Sequence, residues 1–317
     1  MNATPEVSVV VATRDRRSRL TALLRSLREQ DLDPERFEVV MVDDGSRDDT
    51  NGVLEAEREA GRLRLRAISN PESRGPAAAR NVGWQAAAAP LVAFTDDDCE
   101  VDSDWLPALL EAAERAPGAI LQGRTEPIPR ERALAGPYSR TLEITTLGPF
   151  FQTCNIAYPR EILERLGGFE ETVFRRPVGE DTDLAWRALS EGDEIVFVGG
   201  ARVYHAVNQL GAVGKLRLAL KWSDSMAVFA RHPGMRTYLH RRFFWKPSHR
   251  HFLRAALGVA LASRFPPAIL LAYPYLRQVH RRAAGDGALV QGYLVLYDGV
   301  EIYAVVRGAL RHRVLIL

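Results

Sequence analysis

The sequence is poor in cysteine and has no long apolar run. Its 317 residues contain two cysteines, Cys99 and Cys154, too few for a secreted disulfide framework, which favours a reducing compartment. We interpret Cys154 as a small core residue. The first residues lack the features of a signal peptide, and no apolar run approaches the roughly 20 residues of a membrane span. We therefore expect a cytoplasmic protein without a transmembrane helix.

Several common motifs are also missing. The sequence has no G-x-G-x-x-G after its first predicted strand and no G-x-x-x-x-G-K-[ST], which counts against dinucleotide-binding and P-loop proteins. The absence of G-x-S-x-G counts against a serine hydrolase of that type. The segment after the first strand, Thr13 to Arg17, contains no glycine, which counts against a nucleotidyltransferase. No recognisable nucleic-acid-binding module is present, so no nucleic-acid partner is expected.

Acidic residues are scarce in the last third of the chain. Residues 1–200 have a formal charge of −12, whereas residues 201–317 have a charge of +14 and contain all seven histidines. This asymmetry suggests two regions that meet different partners. Residues 206–317 are predicted to form a basic, mainly helical region. An anionic membrane surface, another subunit or simple core packing would each account for it. We interpret His249-x-His251 as surface charge.

The first hundred residues alternate between strands and helices, which predicts an α/β fold with a mostly parallel sheet. Strands are predicted over Val7–Ala12, Phe37–Val42, Leu63–Ile68 and Leu91–Thr95, with helices over Arg17–Gln30, Asp48–Ala60, Gly75–Ala88 and Asp104–Arg115. Asp104 is a candidate helix cap. Farther along, strands are predicted over Ala119–Arg124, Gln152–Tyr158 and Glu194–Val198, with helices over Arg160–Leu166 and Asp181–Glu191. Proline and glycine interrupt Arg130–Pro149, a candidate flap over the site.

Polar side chains cluster where these strands end. Ligands of open parallel sheets bind outside the carboxyl ends of the strands. The residues there are Thr13 and Asp15 after the first strand, Asp43 and Asp44 after the second, Asn70 after the third, and Asp96, Asp97 and Asp98 after the fourth. Clustered carboxylates repel one another unless a cation or hydrogen bonds compensate them. Oxygen ligands favour Mg²⁺ or Mn²⁺, so a divalent metal cofactor is predicted.

Six motifs together resemble a family 2 glycosyltransferase with the GT-A fold, a Rossmann-like sheet flanked by helices. They are VSVVVATRDR, VVMVDDGSRDDT, NPESRGPAAARNVGW, VAFTDDDC, CNIAYPREILERLGGFEE and VGEDTDLAWRA, spread over positions 7–205. The resemblance implies a catalytic domain over residues 1–205 and an inverting, metal-dependent enzyme that uses a nucleotide-sugar. UDP-sugars are favoured, and GDP- and dTDP-sugars remain open. The rivals are a nucleotidyltransferase and a nucleotide-binding scaffold without catalysis.

The resemblance also implies residue roles on the donor side. The nucleotide-sugar would contact Thr13, Asp15, Asp43, Asp44, Asn70, Arg74, Gly75, Arg80, Asn81, Asp96 and Asp97. The metal of a DXD motif would be held by Asp98, Asp96 and His205, with Asp97 pointing away. Three alternatives stay open: Asp43 as a turn-former, Arg80 as structural support for the aspartate cluster, and a structural role for His205.

On the acceptor side, the resemblance makes Asp181 the general base, paired with Glu180. Gly168, Phe169 and Trp186 would shape the acceptor site, although Glu180 and Asp181 as helix caps and Trp186 as a core residue are alternatives. The acceptor is unknown, and a lipid-linked or cell-envelope hydroxyl is one hypothesis. It would place the enzyme peripherally on the inner face of the cell membrane. Oligomerisation is left open.

Overall fold

A computed structural model of the protein describes residues 4–174, 178–283 and 285–317. The described chain divides into two compact units. The first comprises the residues up to Ala133 together with Thr141–Val207, and the second comprises Leu134–Arg140 together with Asn208–Leu317.

An eight-stranded sheet forms the centre of the first unit. The strands of the protein are β1 (Val7–Thr13), β2 (Phe37–Asp43), β3 (Leu65–Ser69), β4 (Leu91–Thr95), β5 (Cys99–Val101), β6 (Ile120–Pro127), β7 (Ser139–Arg140), β8 (Asn155–Pro159), β9 (Ile195–His205) and β10 (Asn208–Gln209). The sheet has the order β3-β2-β1-β4-β8-β6-β9-β5. Strands β1 to β4 pair in parallel, as do β6 and β9, while β8 is antiparallel to β4 and β6, and β5 is antiparallel to β9. The expected mostly parallel α/β sheet is confirmed.

Helices cover both faces of this sheet. They are α1 (Arg17–Arg28), α2 (Thr50–Ala60), α3 (Pro76–Ala86), α4 (Trp105–Arg115), α5 (Arg160–Leu166) and α6 (Glu180–Glu191). The leucines of α1 pack with Trp105 and Leu106 of α4 in one core, and Trp84, Phe94 and Leu184 belong to the other. Because β1 and β2 are almost wholly buried, their β-branched runs are stable only between two helical layers. This arrangement brings the ends of β1 to β4 to one edge of the sheet.

Local details differ from the sequence expectations. Asp104 occupies the N-cap position of α4, but its side chain makes no capping hydrogen bond. Strand β9 continues to His205, well past the predicted end at Val198, because Arg202 to His205 resume pairing with β6 after a bulge. No pattern in the sequence predicted the three-residue strand β5. Cys154 is a buried core residue, as predicted.

The second unit is mainly helical. Within the described residues it contains the antiparallel pair of β7 and β10 and five α-helices: α7 (Gly211–Leu220), α8 (Trp222–Arg231), α9 (Pro247–Leu261), α10 (Tyr273–Arg282) and α11 (Gly287–His312). Between α9 and α10 lies a 3-10 helix, Pro266–Ala272. The expectation of surface charge at His249 is wrong: the imidazole is fully buried, with Nε2 3.2 Å from Glu301 Oε2.

Helix α11 is longer than the apolar runs suggested. With 26 residues it is, by length and composition, the one helix in the described part of the chain that could cross a membrane, and 33% of its most apolar stretch is buried in the protein. The sequence shows only shorter apolar runs in this region because Asp298 and Glu301 interrupt them, and α11 continues through both residues. Both carboxylates are buried and ion-paired, Asp298 with Arg282 and Glu301 with Lys246.

Candidate active site

A polar pocket of about 670 Å³ opens at the carboxyl ends of β1, β2 and β3. Its lining residues are Arg14, Asp43, Gly45, Ser46, Arg47, Asn51, Ser69, Asn70, Pro71, Glu72 and Ser73. Asp43 also forms the local turn, since the Ser46 N–H and hydroxyl donate to its Oδ1 at 3.0 and 2.5 Å. The position and size of the pocket suit a small polar ligand.

Asp44 organises the loop that forms one wall of this pocket. Its Oδ1 accepts from Asn70 Nδ2 and the Arg74 N–H, both at 3.0 Å, and its Oδ2 accepts from Ser73 Oγ at 2.7 Å and the Gly75 N–H at 2.8 Å. Although burial opposes the charge, these hydrogen bonds lower the pKa of Asp44 below its usual value. All four acceptor positions of the carboxylate are therefore used within the protein.

Thr13 and Asp15 lie at the end of β1, on either side of Arg14, which lines the pocket. Asp15 has a left-handed backbone conformation (φ 53°), and its Oδ1 accepts from the Arg47 N–H at 2.7 Å. Thr13 is buried, and its hydroxyl lies next to the Asp97 carboxylate, where it lowers the pKa of that group and partly offsets the effect of burial.

The three consecutive aspartates after β4 take three different directions. Asp96 Oδ1 accepts from Arg80 at 2.9 Å. Asp97 points towards the end of β1, where its Oδ2 lies 3.4 Å from the backbone nitrogen of Arg14 and its Oδ1 lies 3.6 Å from Arg16 Nε. Burial and the neighbouring charge of Asp98 raise the pKa of Asp97 to about 7, whereas Arg16 opposes the shift.

Asp98 meets His205, more than a hundred positions later in the chain. Their Oδ1 and Nε2 atoms are 3.5 Å apart, and together with the Cys99 thiol they form a group of potential metal ligands within 4.8 Å of one another. His205 Nδ1 lies 2.8 Å from the Ala206 carbonyl oxygen, so a proton on Nδ1 leaves the Nε2 lone pair facing Asp98. The oxygen of Asp98 and the nitrogen of His205 fit Mn²⁺ or Mg²⁺. The Cys99 thiol does not, because a soft sulfur ligand favours Zn²⁺ or Cu⁺ over these hard cations. Asp96 is not part of this group.

Arg80 of α3 connects the aspartate cluster to the start of α6. Its Nη2 donates to Asp96 and its Nη1 donates to Glu180 Oε1 at 3.1 Å. The guanidinium is almost fully buried and lies 5.8 Å from the centre of the Phe169 ring. A planar guanidinium suits such a bridge because it can donate in two directions at once.

Glu180 and Asp181 open α6 after Gly179. Glu180 is buried, and its Oε2 has no hydrogen-bond partner in the described parts of the chain. Asp181 Oδ1 accepts from the Thr182 N–H at 2.7 Å. Burial and the charge of Glu180 raise the pKa of Asp181 to about 7. A carboxylate with such a pKa can exchange protons near neutral pH, as a general base must.

The residues predicted for the acceptor side have clear structural contacts. Asn81 holds Phe169, with Oδ1 accepting from the Phe169 N–H and Nδ2 donating to its carbonyl oxygen, both at 2.8 Å. Gly168 is close to Asn81 and adopts a φ of 73°. Trp186 is partly buried, and its indole N–H donates to the Pro149 carbonyl oxygen at 2.9 Å. Asn81 thus positions the 168–169 segment.

Two residues in this region were missed by sequence reasoning. Glu171 accepts from Arg74 at 2.9 Å and from Asn81 at 2.8 Å, and so links the loop after β3 to the segment after α5. Arg187 donates to Asp183 and to the Gly168 carbonyl oxygen. Both lie within the quoted motifs, and for Arg187 the available signal was its i,i+4 spacing from Asp183 on α6.

Comparisons with known proteins place this site in a family. A family model described as "Glycosyl transferase family 2" matches residues 8–169, just over half of the chain. Among curated proteins, the chain is 30% identical to a pre-mycofactocin glycosyltransferase from Mycobacterium tuberculosis over 63% of this chain and 42% of that protein. It is 27% identical to the succinoglycan biosynthesis protein ExoM of Rhizobium meliloti over 95% and 97% of the two chains. The chain thus spans less than half of the first of these relatives.

Solved structures show the same fold. The mannosyltransferase PcManGT from Pyrobaculum calidifontis, in complex with GDP-Man and Mn²⁺, has a TM-score of 0.63 and 22% identity, with 98% of this chain and 88% of that chain covered. Staphylococcus aureus TarS 1–349, in complex with UDP-GlcNAc, has a TM-score of 0.55 and 18% identity, with 98% and 92% covered. At these identities the likeness shows the GT-A fold alone.

Proposed function

The chain belongs to glycosyl transferase family 2, and on this premise we propose that it transfers a sugar from a nucleotide-sugar to an acceptor hydroxyl with inversion. The observation that carries the proposal is the Arg80 bridge. One guanidinium contacts both Asp96, in the aspartate cluster, and Glu180, beside Asp181. This one side chain therefore holds the proposed donor-phosphate site close to the candidate base. A reaction in which the acceptor oxygen displaces the diphosphate in one step requires such proximity.

In the proposed donor site, the nucleoside occupies the pocket at the ends of β1 to β3. Thr13 and Asp15 flank Arg14 at the pocket and are proposed to contact the nucleoside, and Asp44 shapes the loop from Asn70 to Gly75. Asp98 and His205 would hold Mn²⁺ or Mg²⁺, with Asp96 beside them. When bound, the metal supplies positive charge that stabilises the departing diphosphate. The complex of TarS with UDP-GlcNAc supports a UDP-sugar donor, and PcManGT with GDP-Man makes GDP-sugars the main rival.

In the proposed reaction, Asp181 accepts the proton of the acceptor hydroxyl. The acceptor oxygen forms a bond to the anomeric carbon while the bond from that carbon to the diphosphate oxygen breaks, and the nucleoside diphosphate leaves. Glu180 keeps the pKa of Asp181 raised. Gly168, Phe169 and Trp186 are proposed to shape the acceptor side. The acceptor is proposed to be a cell-envelope or lipid-linked hydroxyl, and ExoM, whose name refers to succinoglycan biosynthesis, supports that class.

The decisive experiment is a thermal-shift panel of UDP, GDP, dTDP and CDP, each with and without Mn²⁺. A ligand at 100 times its dissociation constant adds about 2.7 kcal/mol to stability. We expect a Mn²⁺-dependent shift with one nucleotide, and loss of that shift in Asp98→Asn. Cys99→Ser is the matched control and should keep the shift, because its thiol is not a proposed ligand. No shift in folded protein with any nucleotide would contradict the proposal and favour a silent scaffold.

A further inference from the structure

The second unit carries an apolar surface that is not explained by sugar transfer. Between residues 257 and 276, large apolar side chains stand in solvent, among them Leu257, Val259, Phe265, Ile269, Leu270 and Leu276, and we call this set the apolar tip. Leu270 is 71% exposed and Phe265 is 62% exposed. Apolar residues exposed this densely usually mark an interaction site.

The helices beneath the apolar tip bury small side chains and expose large apolar ones, the reverse of the usual arrangement in a soluble protein. Small residues lie between α9 and the 3-10 helix that follows it: Ala255, Gly258, Ala268 and Ala272 are buried. A Cβ at Gly258 would lie 2.5 Å from the Ala268 carbonyl oxygen, so the two segments pack at close range. Small residues inside with large apolar residues outside is the pattern of helices that pack in lipid.

The stretch of sequence that contains the apolar tip carries charge of one sign. From Ser225 to Gly285 the chain has eleven Lys and Arg residues and no Asp or Glu. Arg277 and Arg281, which follow the tip directly, are exposed. A basic collar around exposed apolar and aromatic side chains is typical of helices that lie in the interface of an anionic bilayer. A symmetric contact between two copies would instead bring like charges together.

Helix α11 is not needed as an anchor. Although it is long enough to cross a bilayer, its carboxylates at Asp298 and Glu301 are buried in ion pairs with Arg282 and Lys246. Moving α11 into lipid would break both pairs, and an unpaired buried charge is costly. The helix is therefore held within the second unit.

We propose that the apolar tip inserts into one leaflet of an anionic membrane and that the neighbouring arginines contact lipid phosphates. The tip would enter roughly 5–10 Å, as interfacial helices do. This contact requires no nucleotide and no catalytic residue, so it stands or falls separately from the proposed transfer.

Vesicle flotation of the full chain tests this proposal. The probes are phosphatidylcholine vesicles with and without 30% phosphatidylglycerol, at low and high salt. We expect flotation with the anionic vesicles at low salt, weaker flotation at high salt, and little with pure phosphatidylcholine. Equal binding to both vesicle types, or none to either, would overturn the proposal.

Matched double variants separate insertion from adventitious binding. Ile269→Gln with Leu270→Gln should lower the vesicle partition coefficient at least tenfold, whereas Val213→Gln with Leu310→Gln, which removes two exposed apolar side chains elsewhere, should leave it unchanged. A second pair, Leu257→Gln with Val259→Gln, repeats the test on α9. Undiminished flotation of both tip variants would refute insertion.

The arginines require their own comparison. Arg277→Gln with Arg281→Gln should lower anionic-vesicle partition by roughly 25-fold, at about fivefold per arginine near the surface. Arg25→Gln with Arg115→Gln, both exposed residues of the first unit, should have little effect. Light scattering without vesicles tests the alternative that the apolar tip contacts a second copy of the chain. An oligomer that the tip variants dissociate, with no wild-type flotation, would assign the surface to a second copy and reject the membrane.

Discussion

Arg80 and Glu180 are one hundred positions apart in the sequence, yet their side chains form a buried ion pair at 3.1 Å. The same guanidinium bonds Asp96 at 2.9 Å. Helix α3, the end of β4 and the start of α6 therefore share one cation. Asp96 belongs to the aspartate cluster on the proposed donor side, and Glu180 precedes the proposed base Asp181. The Arg80 contact therefore connects the proposed donor side to the proposed base.

Replacing Arg80 should damage both stability and the proposed chemistry. Arg80→Met leaves Glu180 buried without its cation, which we expect to cost about 3–5 kcal/mol in the free energy of unfolding, measured by urea denaturation. Arg80→Lys should recover only part of this loss, because one ammonium cannot bridge both acids in the same plane. If Arg80→Met unfolds like the wild type, the pair is not a structural tie.

The pH dependence of transfer should report Asp181. Burial and Glu180 raise its pKa to about 7, so the base form predominates only above that pH. We expect kcat to rise through about pH 7 and level off above it. Arg80 lowers the pKa of Asp181, so in Arg80→Lys any weakening of that contact should move the rise to higher pH. A profile that is flat between pH 5.5 and 8.5 would contradict this assignment.

Asp181→Asn should separate binding from catalysis. We expect transfer to fall by about 10²–10⁴-fold, while the nucleotide-induced thermal shift stays nearly unchanged. Because the folded-state pKa of Asp181 is raised, its charge destabilises the native protein as pH rises through 7. The variant should therefore be more stable than the wild type at pH 8 and show little difference near pH 3. Retained transfer would show that Asp181 is not the base.

The adjacent residues Asp43 and Asp44 provide a matched pair. Asp44→Asn places an amide opposite the Ser73 and Gly75 donors and should cost about 2–4 kcal/mol. Asp43→Asn disturbs only the turn at Ser46 and should cost about 1 kcal/mol. Since the pKa of Asp44 is lowered, its stabilisation is present above pH 4 and is lost as the pH falls through its folded-state pKa. Urea unfolding of both variants at pH 7 and at pH 3 measures this. Equal losses at pH 7 would contradict it.

Two neighbouring glycines after α5 should respond very differently to alanine. Both have a positive φ, 74° at Gly167 and 73° at Gly168. A Cβ at Gly167 meets nothing within 4 Å, so Gly167→Ala should cost only the backbone strain of about 1–2 kcal/mol. A Cβ at Gly168 would lie 2.4 Å from Asn81 Oδ1 and 2.5 Å from Trp84 Nε1, so Gly168→Ala should cost about 3 kcal/mol or more. Equal unfolding free energies for the two variants would show that the Asn81 contact is dispensable.

The sequence by itself determined the sheet and the position of the site. The apolar runs of β1, β2 and β4 are stable only when buried on both faces, so their carboxyl ends, where Asp43 and Asp96 lie, could be assigned to one edge of the sheet from the sequence. The chain's membership of glycosyl transferase family 2 agrees with the motifs at that edge.

Only the tertiary structure decided how those side chains are used. The four hydrogen bonds of Asp44, the approach of His205 to Asp98, and the Arg80 bridge join residues separated by 16 to 107 positions, and no local pattern encodes such distances. The apolar tip could not be predicted from the sequence for the same reason. Leu270 and Ala272 are both apolar in sequence, but which of them faces solvent depends on the close packing of Gly258 against the Ala268 backbone. Sequence periodicity indicates which positions are apolar, whereas the packing of elements that are distant in sequence determines which of these apolar side chains are buried.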